Sequence, residues 1–248
     1  MTIWIDPPAW PAHGRLWSHL VSDTSYAELH DFAEAQGIPR RGFEGDHYDV
    51  PQERYAALVA AGAVEVGGKE IVRILQRSGL RVQKRKHERV VRAVPDAPWL
   101  PPGSRADVIA SRQPEPPATT VVVRLALLRG PDLLVLERLT GGLDLPSAPV
   151  GHLTPSDALA RLLEVVAGPG HLLAPQLLGY VRNTVPQPDA DYPWPVPKAC
   201  FAVWHDSLDA GDELHTGVGR WVRRDEAAAA LGERHWWPLV THLEESPR

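Results

Sequence analysis

The chain has one cysteine, one methionine and three phenylalanines in 248 residues. With Cys200 alone, an internal disulfide and a cysteine-built zinc site are excluded, so any metal must rest on histidine and carboxylate. Cys200 itself lies in the strand-like run KACFAVW with no base beside it, which reads as a small buried thiol and not a nucleophile. No apolar stretch reaches membrane-spanning length, and the opening MTIWIDPPAWPAHGR lacks a basic start followed by an apolar run. The expectation is a soluble, cytoplasmic protein with no membrane partner. A hydrophobic content of 44% is enough for one large core or two modest ones and excludes disorder throughout.

Charge is uneven. The net value is -5, yet residues 69–92 hold nine basic and two acidic side chains, giving +7 there and -12 elsewhere. Such a segment suits an anionic partner, nucleic acid included, although a basic outer helix face is commonly just solvated surface.

The run PDAPWLPPGSRADVIASRQPEPP, residues 95–117, contains seven prolines and shows no hydrophobic period. Proline cannot donate to a ladder, and the run reads as a semi-rigid spacer over 93–118 between domains at 1–92 and 119–248. The first domain alternates strands with three helices. Thr2–Ile5 and Ser18–Ser22 read as strands. Ser25 with Glu28, and Asp49 with Gln52, have capping-box spacing, and the helices they start stop at Gly37 and Gly62. A strand over Ala63–Val66, a helix over Lys69–Ser78 and the alternating LRVQKR complete a small α/β sandwich. The second domain opens with a hairpin, Thr120–Leu128 and Leu133–Leu139. A helix over Ser156–Ala167 follows, then strands in LLGYVRNTV and KACFAVWHDSL, then a strand leading into a helix in GRWVRRDEAAAALGE.

That order of elements, with the segment LPSAPVGHLTPSDALARLLEVVAG over Leu145–Gly168, resembles the Nudix hydrolase domain, an α+β fold. The family's signature runs from a Leu-Pro-Gly-Gly turn to a helix bearing Arg-Glu-x-x-Glu-Glu. Here Ser147 and Ala148 replace the glycines, Arg161 keeps the arginine position, and Leu162, Val165 and Val166 stand at the three glutamate positions. In the family those carboxylates hold magnesium. Aliphatic side chains offer no oxygen ligand, so no metal is expected on this helix and the resemblance is to a degenerate domain. A pocket for a nucleotide-like ligand, a packing platform, and a divergent active hydrolase recruiting Glu164, Asp189 or Asp191 are the readings it leaves open. The stripe Ala158, Leu159, Leu162, Val165, Val166 predicts that the former metal face is core.

Residues 1–92 resemble a bacterial family known as domain of unknown function 4031 through WIDPPAW, HGRLWSHLVSD, ELHDFA, PRRGFEGDHYDVP and GAVEV. The name carries no reaction, so the chemistry is read from the residues. His13, His19 and His47 are candidate catalytic groups because none falls on a clear apolar helix face. Arg15, Arg40, Arg41, Asp23, Asp46 and Tyr48 are candidate ligands for a phosphate or carboxylate. Asp23 and Asp49 also read as helix-start residues, and His30 as a core histidine. A metal-free phosphate site with one histidine as general acid or base is the leading reading, with magnesium or another divalent metal as the alternative. The expected activity is binding, with or without hydrolysis or transfer, of a phosphorylated nucleotide-like small molecule in the first domain, the Nudix-like domain serving ligand sensing or packing. A regulatory or nucleic-acid-binding role through residues 69–92 is the competing class.

Overall fold

The structure is a computed structural model describing residues 2–139, 141–209 and 217–245, with side chains through Thr241. It is α/β with mixed sheets and six α-helices among the described residues, in two compact units, 1–84 and 85–248. No described helix is long and apolar enough to cross a membrane.

In the first unit the order is β1 (Ile3–Ile5), β2 (Trp10–Ala12), β3 (Arg15–Ser22), α1 (Tyr26–Ala35), a 3-10 turn at Arg40–Gly42, β4 (Tyr48–Pro51), α2 (Gln52–Ala60), β5 (Val64–Glu65) and α3 (Gly68–Arg77). The sheet runs β2-β3-β1-β5, and β4 also pairs with β3. The three expected helices form. Ser25 caps α1 by accepting from Glu28 N–H, while the Glu28 carboxylate turns to the Ser22 hydroxyl at 2.5 Å and leaves the box half closed. The second expected cap does not form: Pro51 precedes α2, and Asp49 is a strand residue of β4. LRVQKR is not a strand, because its groups serve the loop around Asp46.

Leu20 of β3 with Tyr48 and Val50 of β4 cluster with Leu29 and Ala33 of α1 and Leu58 of α2. Each large apolar side chain fully buried there contributes about 1.5–3 kcal/mol. Because successive strand residues alternate faces, this core sends His19 and Asp49 to the opposite face. They are direct cross-strand partners in the β3–β4 ladder.

The second unit holds β6 (Glu88–Pro95), β7 (Arg105–Ser111), β8 (Thr120–Arg129), β9 (Asp132–Glu137), β10 (Leu143–Asp144), β11 (Ser147–Pro149), α4 (Pro155–Ala167), β12 (Gln176–Thr184), β13 (Lys198–Leu208), β14 (Arg220–Arg223), α5 (Arg224–Leu231) and α6 (Trp237–Glu245). Among the described residues nine strands run β10-β9-β8-β13-β12-β7-β6, with β11 on β8 and β14 on β9. The spacer expected over 93–118 is corrected: β6 and β7 are paired strands of this sheet, and Val108 and Ile109 are buried. The prolines punctuate instead. Pro95 ends β6, Pro101 lies in the turn where Ala97 and Ser104 bond, and Pro117 accepts from Thr120 just before β8. Strand β7 is hidden in the sequence because it carries polar residues at depth, Asp107, neutralised by Arg105 at 2.8 Å and Arg182 at 3.0 Å, and Ser111, bonded to Glu88.

Helix α4 starts at the Thr154 cap and ends at Gly168, close to its expected bounds. Leu162 and Val166 are buried as expected, but Val165 is 59% exposed and leaves the predicted stripe.

Candidate metal centre

Two histidines meet in the first unit, each held from behind by its own carboxylate. Asp6, the residue after β1, is buried and takes His19 N–H at 2.5 Å, His19 Nδ1 at 3.0 Å and the Trp10 indole N–H at 3.3 Å. Asp46, also buried, takes His47 Nδ1 at 2.5 Å, the Val82 N–H at 2.9 Å and Arg81 at 3.3 Å. The rings of His19 and His47 stand edge to face at 5.1 Å. Asp49, two residues beyond His47 and opposite His19, has its carboxylate 3.3 Å from His47 Nε2.

Electrostatics follow from this geometry. Burial disfavours the charged form of His47, but hydrogen bonds and charge from Asp46 and Asp49 prevail and push its pKa up to about 9. Burial likewise opposes ionisation of Asp6, Asp46 and Asp49. The histidines outweigh it and hold all three below the usual carboxylate range. Lys84 adds a positive charge that also favours ionised Asp49. On the other side, a Cβ on Gly68 at the start of α3 would come within 3.1 Å of Asp6 Oδ2, so that position has room only for glycine unless Asp6 shifts.

One donor atom from each of His19, His47 and Asp49 lies within 4.8 Å of the other two. With both Nδ1 atoms facing carboxylates, Nε2 is the atom each ring would offer a metal, at His47 once the proton it shares with Asp49 has left. Tetrahedral zinc needs donors about 3.3 Å apart, and a carboxylate behind each liganding histidine is the usual way of fixing its tautomer. Two imidazoles and one carboxylate suit zinc or a neighbouring first-row metal better than magnesium.

The other expected site residues go elsewhere. His13 is exposed in the β2–β3 turn with a φ of 50°, followed by Gly14 at 74°. Arg15 is exposed, 3.9 Å from Glu53. Asp23 binds Thr2 N–H and the Trp4 indole, tying down the chain ahead of β1. Arg41 is exposed. Arg40 lies over Phe43 and shares a surface cleft with His30, Glu34 and Tyr48. There His30 Nδ1 meets the Tyr48 hydroxyl at 2.8 Å, and burial with the Arg40 charge lowers the His30 pKa to about 4. Thus His19, His47 and Asp46 converge, and His13, Arg15, Asp23, Arg40 and Arg41 do not join them. Tyr48 is adjacent in sequence but faces the core. Sequence reasoning misses Asp6, and it places Asp49 in the polar loop beside His47 but reads it as a helix cap. The available signal for Asp49 is the period of two in His47-Tyr48-Asp49-Val50, which carries both polar residues to one face.

A family described as "Protein of unknown function (DUF4031)" matches residues 3–78, which contain every residue of this centre except Arg81, Val82 and Lys84. Among curated proteins none matches the chain. Among solved structures, the C-terminal domain of mouse MUTYH in complex with human PCNA is 21% identical with a TM-score of 0.35, covering 51% of this chain and 90% of that one. A mutant form of the Bacillus subtilis pyrophosphohydrolase BsRppH is 13% identical with a TM-score of 0.31, covering 42% of this chain and 60% of that one. Each is a similarity and carries no residue roles to this chain.

Proposed function

We propose that the first unit is a metal-dependent hydrolytic centre in which His19, His47 and Asp49 hold one zinc-like divalent ion, acting on a phosphorylated small molecule. The observation that carries this reading is the pair of carboxylate-backed histidines converging with Asp49. His19, His47 and Asp49 would hold the ion, which would supply an activated water, its pKa lowered toward neutrality, to about 7 for zinc. Asp6 and Asp46 keep Nδ1 protonated and Nε2 aimed at the common point. Arg81 and Lys84 stand beside the centre, each paired with a carboxylate, Asp46 and Glu44.

A metal-free alternative is favoured by the charged state of His47. Protonated His47 would be the general acid, and His19, oriented by Asp6, the base. The two separate by experiment. Metal analysis of the purified protein, with turnover of phosphomonoesters and phosphodiesters before and after chelation, is expected to show one bound ion per chain and activity lost with it. His19→Ala and His47→Ala are expected to lose both ion and activity, and His13→Ala neither. Chelator-resistant turnover that still needs both histidines would establish the acid–base reading and overturn the metal.

For the second unit we propose a degenerate Nudix-like domain without that family's metal chemistry. Support comes from the element order, hairpin to α4 to β12 and β13 to the β14–α5 pair, and from Leu162 and Val166 packed in the core. In the basic segment, Arg73 and Arg77 pair with Glu70, Arg81 with Asp46, Lys84 with Glu44 and Arg85 with Glu88. This leaves less free positive charge than the sequence suggests, and we do not propose nucleic acid as its partner.

A further inference from the structure

In the first unit a surface cleft of about 510 Å³ lies at the C-terminal end of α1. It is lined by His30 and Glu34 of α1 and by Ile38, Pro39 and Arg40 after it, and backed by Tyr48 of β4. His30 and Glu34 are four residues apart and share one face of the helix. Phe43 gathers the other charge: its ring takes His30 edge-on at 4.6 Å and lies under the Arg40 guanidinium at 5.9 Å. Tyr48 points from β4 toward the core, on the side opposite His47 and Asp49, and its hydroxyl meets His30 Nδ1 at 2.8 Å.

Tyr48 sets the tautomer of His30. Its buried O–H has no acceptor among the described residues other than His30 Nδ1. A neutral imidazole that accepts at Nδ1 carries its proton on Nε2, and burial with the Arg40 charge keeps this ring neutral. Nε2–H has no partner among the described residues, so it is the donor that His30 has left to offer the cleft. Arg40 and Glu34 are exposed, and neither forms an ion pair among the described residues. Both charges act on the Tyr48 hydroxyl, so they flank the same small space. Helix α1 ends at Ala35, and the carbonyl end of a helix favours a cation. The cleft therefore has a positive side, Arg40 with the His30 donor, and a negative side, Glu34 with the end of α1.

We propose that this cleft binds a free α-amino acid, its carboxylate on Arg40 and His30 Nε2–H and its ammonium on Glu34. Guanidinium on carboxylate and ammonium on carboxylate are charge-assisted hydrogen bonds, the strong kind. A carboxylate and an ammonium on one carbon answer both sides at once. A simple acid would face Glu34 as a like charge, and a simple amine would face Arg40 in the same way, so the cleft selects the zwitterion over either. Its volume is within the range of small-molecule sites and leaves room for the amino acid's side chain against Ile38 and Pro39. The inference goes beyond the hydrolytic reading, since neither the three proposed metal ligands nor Asp6 and Asp46 line this cleft.

Saturation-transfer NMR of the full chain against each standard L-amino acid, followed by isothermal titration, tests this. Excess EDTA is present throughout, because amino acids also chelate metals and the metal centre must be kept empty. At least one amino acid is expected to bind saturably. Its N-acetyl derivative and its carboxamide, each lacking one charge, should bind at least about tenfold more weakly. Arg40→Ala and Glu34→Gln, both at exposed positions, should each weaken binding about tenfold or more, the effect of losing one charge-assisted hydrogen bond. His30→Phe, which removes the Nε2–H, should weaken it too. No saturable binding, a derivative binding as tightly as its parent, or an unchanged Kd in Arg40→Ala or Glu34→Gln would overturn the proposal. Binding seen only without EDTA would assign the amino acid to the metal centre and overturn it as well. If His30→Phe does not fold, Arg40→Ala and Glu34→Gln decide.

Discussion

Asp6 and His19 are joined twice, backbone N–H to Oδ1 at 2.5 Å and ring Nδ1 to Oδ2 at 3.0 Å. These two hydrogen bonds to one carboxylate fix both the strand end and the imidazole it presents. Asp6→Asn keeps the side chain's shape but removes the charge that stabilises the Nδ1-protonated tautomer. Zinc affinity is expected to fall about 10- to 100-fold, the usual cost of losing a carboxylate behind a liganding histidine. Competition against a chromophoric chelator measures it, and unchanged affinity would remove Asp6 from the centre.

The metal-free protein should weaken as pH rises. His47 is raised in the folded state to about 9, above the unfolded value near 6.5. Its stabilisation is therefore full below about pH 6.5 and is lost as pH climbs through about 9, with a size on the order of 3 kcal/mol. Urea unfolding in chelator at pH 6 and pH 10 should show that loss, and His47→Gln should flatten it. A profile in His47→Gln matching the parent would assign the dependence to another group.

The first unit is largely legible because its glycine stops and apolar periods are local signals. Gly37 and Gly62 follow their helices with positive φ, as C-terminal stops do. The site is half legible. His19 and His47 stand out as polar residues without an apolar helix face, but what joins them is strand pairing between residues thirty apart, which no local pattern encodes. Asp49 looks like a helix cap since Gln52 follows at the right spacing. The actual turn into α2 comes two residues later at Pro51, whose fixed φ and missing N–H suit a helix start. Strand β7 is lost to proline counting, because prolines at both ends of a short buried strand have the same composition as a spacer.

Asp107 offers a test of that strand's place in the core. It is fully buried between Arg105 and Arg182, and Asp107→Ala would leave two guanidiniums at depth without their shared carboxylate. Removing one member of a buried ion pair costs about 3–5 kcal/mol. Chemical denaturation should show a loss of that order. A loss below about 0.5 kcal/mol, the range of ordinary surface changes, would place residues 105–111 outside the folded sheet.

Helix α4 separates two positions that look alike in sequence. Leu162 is 5% exposed, whereas Val165 is 59% exposed, although the proposed resemblance puts both at glutamate positions of the Nudix signature. Leu162→Glu would bury a carboxylate without a partner, and desolvating the charge should cost several kcal/mol or force the group to stay protonated. Val165→Glu places its carboxylate in water, and stability should change by no more than about 0.5 kcal/mol. Thermal melts of the two variants beside the parent make the comparison, and the pair controls for the chemistry of the substitution because only the burial differs. Equal melting temperatures would mean that Leu162 is not core. Magnesium-dependent pyrophosphate hydrolysis gained by a folded Leu162→Glu would mean that this face of α4 opens on a working site, and the second unit would then have to be read as an enzyme.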